Sequence, residues 1–148
     1  MRSMKQSGRI SPVALGSLFC VLCVAVLMLF SRESAASAGA RFMEALQHHD
    51  VDTLTHMTKM DGASEADIHK QWDFAVNTAE KYYAFGYKVE GASQSGNDNA
   101  SVKIAMIRDI DHPGSYEEQT ELPMIKVNGD WKVDVRATSR DFFNCLPR

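Results

Sequence analysis

The sequence predicts an α+β fold, in which helices precede a four-stranded antiparallel sheet and an N-terminal transmembrane helix precedes both. Three observations support this prediction. Residues 12–30 include no charged side chain, residues 36–86 repeat their apolar side chains at a helical spacing, and residues 87–136 repeat them at a spacing of two. The helices therefore come before the strands along the chain.

Residues 12–30 are the predicted transmembrane helix. Three basic residues precede this apolar stretch, and Arg32 with Glu33 closes it. As a helix rising about 1.5 Å per residue, it would reach roughly 28 Å, close to the ~30 Å hydrocarbon core of a bilayer. The basic flank predicts that residues 1–11 lie in the cytoplasm and that the rest of the chain lies outside it. The membrane is thus an expected partner of a single-pass protein.

Cleavage of the same stretch as a secretory signal is the alternative. Ala36-Ser37-Ala38 and Ala38-Gly39-Ala40 both fit a small-x-small cleavage site, and cleavage there would yield a secreted protein. However, the apolar run is longer than that of an ordinary signal. This length favours a retained signal-anchor.

The chain beyond the apolar stretch is acidic. Three of the 16 basic residues and none of the 19 acidic residues precede residue 31, which leaves a net charge of −6 on the remainder. An acidic domain with no basic stripe argues against nucleic acid as a partner. Cys145 is the one cysteine outside the apolar stretch, so an intermolecular disulfide or an unpaired thiol are its two open interpretations.

Three helices are predicted after a short tether at residues 31–40. The first ends near Asp50, and either Asp50 or Asp52 is predicted to cap a short second helix. The third opens at residues 64–67, whose Ser-Glu-Ala-Asp resembles a capping box, and Gly86 ends it. The apolar face of this third helix is predicted to carry Ile68, Trp72, Ala75, Val76, Ala79, Tyr82 and Tyr83.

Four strands are predicted after Gly86. They are separated by turns at residues 95–99, 109–115 and 128–129, and the last of these, Asn128-Gly129, is a strong hairpin signal. Pro123 in the third strand indicates an edge position or a bulge. These elements define an α+β domain at residues 41–137, with a C-terminal tail at residues 138–148.

Two segments of this domain resemble the nuclear transport factor 2-like (SnoaL-like, cystatin-like cone) superfamily. They are Arg41-Phe42-Met43-Glu44-Ala45-Leu46-Gln47-His48-His49-Asp50 and Val127-Asn128-Gly129-Asp130-Trp131-Lys132-Val133-Asp134. More narrowly, the chain is similar to small bacterial lipoprotein-type and membrane-anchored extracytoplasmic domains of that group. The resemblance covers residues 36–137 and implies a curved sheet that wraps the long helix into an open cone. Members bind or transform apolar ligands in the cone, dimerise, or hold partners, so the fold does not choose among these functions.

The candidate site is an apolar-ligand pocket in this cone, formed by Trp72, Tyr83, Tyr116 and Trp131. A catalytic cone would need an inward acid or histidine, and the predicted inward faces have none. We therefore name no catalytic residue, no metal ligand and no cofactor. Tyr83 or Tyr116 would be the hydrogen-bond donor of any catalysis.

The sequence thus favours a membrane-anchored extracytoplasmic module that holds a protein partner or an apolar ligand without chemistry. Its expected protein partners are a second copy, through the sheet, or another envelope protein. Two alternatives stay open. One is a SnoaL-type isomerase or dehydratase acting on a small apolar ligand, and the other is a subunit of an envelope assembly.

Overall fold

The computed structural model describes residues 33–108, 114 and 116–148. The predicted transmembrane helix at residues 12–30 lies outside the described residues, as do residues 109–113 and 115 of the predicted second turn. Within the described ranges, no helix is both long enough and apolar enough to cross a bilayer.

Three α-helices open the described part of the chain. They are α1 (Ala35–Gln47), α2 (Val51–Met57) and α3 (Glu65–Phe74). Each helix has a side-chain cap, because Ser34, Asp50 and Ser64 each accept a hydrogen bond of 3.1 Å from the backbone N–H three residues later. These bonds satisfy donors that have no partner within the helix, and the predicted caps of α2 and α3 are confirmed.

The residues assigned to the tether partly belong to α1. From Ala35 onward the chain is helical, and Ala35, Ala38 and Gly39 are buried against the rest of the domain. A Cβ at Gly39 would lie only 2.9 Å from Cγ1 of Val102 on the sheet, so the absence of a side chain permits this close approach. The small residues here are therefore a packing surface of the helix.

The third helix ends earlier than the sequence predicted, and the correction affects two tyrosines. A single π-helical turn, Ala75–Ala79, follows α3, and its i→i−5 bond joins the Glu80 N–H to the Ala75 carbonyl at 2.9 Å. The wider turn rotates the residues after it away from the helical face. Tyr82 is consequently 90% exposed instead of lying on the apolar face, and Tyr83 is half-buried beyond the end of the helix.

A five-stranded sheet packs on the helices, which confirms the α+β prediction and corrects its number of strands. The strands are β1 (Thr58–Lys59), β2 (Phe85–Ser95), β3 (Asn99–Arg108), β4 (Glu117–Val127) and β5 (Asp130–Asp134). Their order is β1-β5-β4-β3-β2, and all neighbours are antiparallel except β1 and β5. β1 was not predicted because its two residues directly follow α2 and carry no alternation of their own.

The last hairpin forms as predicted. Asn128 and Gly129 have φ values of 55° and 97°, the left-handed conformation that a two-residue turn of this kind requires. β4 is nevertheless an interior strand, although Pro123 predicted an edge or a bulge. The ladder to β5 ends at Met124, so Pro123 lies just beyond the region where β4 has two neighbours.

The C-terminal tail predicted at residues 138–148, called here the C-terminal segment, contributes to the core. Phe142, Phe143 and Leu146 are at most 5% exposed and join the same apolar cluster as the helices and the sheet. Arg108 at the end of β3 holds this segment, because its guanidinium donates to the Asp141 carbonyl and lies 3.0 Å from the Glu118 carboxylate. The folded domain therefore extends to the last residues of the chain.

Candidate functional site

The space between the helices and the sheet, where the resemblance implies a ligand cavity, is filled by side chains. Trp72 of α3 is fully buried and meets Phe42 of α1 edge to face, with the ring centroids 5.8 Å apart. The other large side chains that are fully buried come from both layers and from the C-terminal segment: Phe142, Met43, Leu54, Ile104, Met106, Leu122, Met124, Val76, Val102 and Val133. Such packing is typical of a hydrophobic core.

The buried threonine side chains of this interior find their hydrogen-bond partners within the fold. Among the described residues, the buried polar side chains are Thr55, Thr58 and Thr138, and each hydroxyl donates to the backbone carbonyl four residues earlier at 2.7 to 2.8 Å. The Trp72 indole N–H donates to the Thr58 hydroxyl at 2.8 Å. The Trp72 indole donor and the three threonine hydroxyl donors are thus used by the fold.

The four predicted pocket residues do not form one pocket. Trp72 is a core residue, and Trp131 is 3% exposed, with the Lys126 ammonium 4.8 Å from its ring centroid. Tyr83 packs on Phe85 and Phe143, with ring centroids at 5.7 and 6.0 Å. Tyr116 is 72% exposed beside β4. These residues therefore lie in three different environments: the core, its margin and the surface.

A surface cleft of about 790 Å³ lies between α3 and the C-terminal segment, and we call it the α3–C-terminal cleft. Small-molecule sites commonly occupy about 300–1,000 Å³. Phe74 of α3 lines it and leaves 59% of its surface exposed, although the residue is large and apolar. Leu146 and Pro147 of the C-terminal segment form an apolar wall of the cleft, and both residues are largely buried. The Phe74 ring is therefore the exposed apolar surface of the cleft.

The cleft is also cationic, in contrast to the acidic domain around it. Lys70, Arg136 and Arg148 line it, together with one carboxylate, Asp67. None of the three cations forms an ion pair with a carboxylate in the described part of the chain. Asp67 accepts a hydrogen bond of 2.7 Å from the Ser64 hydroxyl at the start of α3. The net charge of the lining is therefore positive.

The backbone fixes two walls of the cleft relative to each other. The backbone N–H of Arg148 donates to the side-chain carbonyl of Gln71 at 2.7 Å, which joins the C-terminal segment to α3. Cys145 also lines the cleft, and its thiol lies 3.7 Å from the Glu80 carboxylate. Burial and the nearby Glu80 carboxylate raise the pKa of this thiol, so it is a weak nucleophile at neutral pH.

Two histidine–carboxylate contacts join α2 to α3 outside the cleft. His56 lies 3.2 Å from Glu65, and His69 lies 3.2 Å from Asp52, both between exposed side chains. No three histidine, cysteine or carboxylate side chains of the described ranges are grouped so that they could hold a metal ion. We therefore assign these side chains to contacts between the two helices.

Sequence reasoning missed the α3–C-terminal cleft because its two walls are far apart along the chain. The signal that could have indicated it is Phe142-Phe143 with Leu146-Pro147, an apolar group in a segment assigned to a tail. An apolar group of this kind near a terminus indicates that the terminus packs on the domain. The sequence does not indicate which helix the C-terminal segment packs beside, because that depends on the tertiary fold.

Comparison with known proteins gives structural matches only. No protein-family model matches the chain, and no curated protein has significant sequence similarity to it. A SEC-C motif containing protein from Rhodopseudomonas palustris aligns with 18% identity over 72% of this chain and 81% of its own, at a TM-score of 0.48.

Two further solved structures align at the same TM-score of 0.48. A domain of unknown function with a cystatin-like fold from Nostoc punctiforme has 10% identity over 66% of this chain and 69% of its own. A protein from Thiobacillus denitrificans, described as a calcium/calmodulin-dependent protein kinase type II association domain, has 12% identity over 66% of this chain and 86% of its own. Likeness at this level supports no conclusion about function.

Proposed function

We propose that the chain is a membrane-anchored, extracytoplasmic module of the nuclear transport factor 2-like group, which holds a ligand or a protein partner and performs no chemistry. The observation that carries the proposal is the interior. Among the residues that the structure describes, the fully buried polar residues are threonines whose hydroxyls donate to backbone carbonyls, and the centre of the interior is filled by Trp72 and Phe42. An acid–base reaction needs a titratable group that reaches a bound substrate.

The outer surface is the part of the domain that is suited to binding. The α3–C-terminal cleft exposes Phe74 beside unpaired cations, which is the combination of apolar area and polar groups that ligand sites present. A binding function located there uses the surface and leaves the core to stability. Because the core serves stability and the exposed surface is suited to binding, we favour a binding function over catalysis.

Retention of the anchor is supported by the position of the two small-x-small motifs. Both lie in α1, where Ala38 and Gly39 are buried. Cleavage after Ala38 or Ala40 would remove the Ser34 cap and the buried Ala35 from the folded domain. A cleaved product would therefore lose part of its own core, whereas an anchored chain keeps it.

The test is capture of the tagged full chain from membranes, followed by mass spectrometry of co-purifying proteins and small molecules. The pure chain is then incubated with every retained molecule, and heat-unfolded chain is the control. We expect molecules or a partner to be retained in stoichiometric amounts and to stay chemically unchanged. Conversion of a retained molecule by the folded chain alone would show that the protein is an enzyme and that the proposal is wrong.

A further inference from the structure

Building on the proposed function, we infer that the α3–C-terminal cleft binds a single-chain amphiphile with a carboxylate headgroup, such as a fatty acid. The cleft brings an exposed aromatic ring, an apolar wall and three cations into one volume of about 790 Å³. Each of these features matches one part of such a molecule. The proposed ligand therefore binds in this surface cleft and not at the pocket residues predicted from the sequence.

The apolar part of the ligand would lie against Phe74. This ring is 59% exposed on α3, on the same cleft as Leu146 and Pro147 of the C-terminal segment. Covering an exposed apolar surface contributes about 25 cal/mol for each Å² removed from water. Covering Phe74 with a protein partner would also be favourable. The positive charge of the cleft is therefore the feature that indicates the class of ligand.

The headgroup would lie among Lys70, Arg136 and Arg148. No carboxylate in the described ranges forms an ion pair with these cations. Asp67, which lines the cleft, accepts the Ser64 hydroxyl. Asp61 is bound by Lys59, whose hydrogen bond and charge lower the pKa of the Asp61 carboxyl, with a smaller contribution from the Arg136 charge. Charge-assisted hydrogen bonds to a carboxylate are stronger than those between neutral groups, so an anion is selected.

Cys145 provides a direct probe of this site because its thiol lines the cleft. The test uses the full chain with Cys20→Ala and Cys23→Ala, held in phosphatidylcholine nanodiscs, so that Cys145 is the single thiol. N-ethylmaleimide modification of Cys145 is followed by mass spectrometry in the presence of octanoate, octanol or octyltrimethylammonium. We expect octanoate to slow the modification at concentrations about tenfold lower than the other two probes require.

Matched variants separate the cleft from general effects on the chain. Lys70→Gln should weaken protection by octanoate by about tenfold, whereas Lys103→Gln, which removes the same charge from β3, should not. Phe74→Ser should abolish protection, and Tyr82→Ser, at a side chain that is 90% exposed outside the cleft, should leave it unchanged. Thermal melts verify that each variant is folded before its protection is compared.

The outcomes distinguish the ligand class from the proposed function. Equal protection by all three probes would overturn selection of an anion, and no protection by any of them would overturn an amphiphile in this cleft. In either case the capture experiment still judges the holding function by itself. Retention of a protein partner, or of a chemically unchanged ligand of another class, would support the holding function. Chemical conversion of a retained molecule by the folded chain would disprove it.

Discussion

At the scale of single residues, Gly39 shows how the close approach of α1 to the sheet constrains one position. A Cβ there would lie 2.9 Å from Cγ1 of Val102, a stiff side chain that is fully buried. Overpacking of this kind costs about 1–3 kcal/mol, which exceeds the roughly 0.5–1 kcal/mol that Ala gains over Gly in a helix. The steric cost therefore exceeds the gain in helix propensity, and replacing Gly39 by Ala is expected to be destabilising.

We predict that Gly39→Ala lowers the free energy of unfolding by about 1 kcal/mol. In a Val102→Ala background, where the obstructing methyl groups are absent, the same change should stabilise the fold by about 0.5–1 kcal/mol. Denaturant melts of the four proteins in this cycle measure the coupling. Additive effects of the two substitutions would contradict the contact between α1 and β3.

Asp50 gives the second prediction for a single residue, and it concerns pH. Its carboxylate accepts hydrogen bonds from the Thr53 hydroxyl at 2.7 Å and the Thr53 N–H at 3.1 Å, and these bonds hold its pKa below the usual value of 3.8. A lowered pKa means that the stabilisation is present above the unfolded value and is lost as the pH falls through the folded one.

Asp50→Ala should therefore cost about 1 kcal/mol at pH 7 by removing the cap of α2. Asp50→Asn is the matched control, because Asn can still accept the Thr53 N–H bond but has no charge, has one acceptor oxygen and does not titrate. The difference between wild type and Asp50→Asn should shrink as the pH is lowered from 6 toward and below 3.8 in a series of thermal melts. A difference that does not depend on pH would exclude the charged cap as its cause.

At the scale of elements, the C-terminal segment is held to the sheet by Arg108. The guanidinium reaches both the Asp141 carbonyl and the Glu118 carboxylate. We predict that Arg108→Gln costs about 1–3 kcal/mol, a cost concentrated in the local stability of residues 138–148. Hydrogen exchange should show faster exchange in this segment and little change in β3, and Lys103→Gln is the control. Equal acceleration throughout the domain would contradict a local anchor.

The elements that sequence reasoning predicted are those with their own local signals. Ser64 caps α3 through its own side chain, and Asn128-Gly129 adopts the φ values that its residue types favour. The π turn at Ala75–Ala79 and the two residues of β1 have no such signal, because tertiary packing determines both. The positions of the predicted pocket residues also depend on tertiary packing: Tyr116 is exposed, and Trp72 lies in the core.

At the scale of the whole molecule, the proposed anchor joins a domain whose first helix begins at Ala35. If residues 12–30 span the bilayer as proposed, the full chain should stay in the membrane pellet after alkaline extraction and keep its N-terminal peptides in mass spectrometry. A variant with two arginines introduced into that stretch is the control and should be extracted. A soluble wild-type product starting at Gly39 or Arg41 would disprove the anchor.

The central claim is that the interior of the domain provides stability and its outer cleft provides binding. Trp72 and Phe74 test it most directly, because they lie two residues apart on α3 and are fully buried and 59% exposed, respectively.

The measurement is the free energy of unfolding of Trp72→Ala and Phe74→Ala, paired with retention of the molecules that co-purify with wild type. We predict that Trp72→Ala loses about 3–5 kcal/mol but retains them while folded, and that Phe74→Ala changes stability by less than about 0.5 kcal/mol but loses them. Loss of retention on the Trp72 change alone, with Phe74→Ala behaving as wild type, would contradict the account.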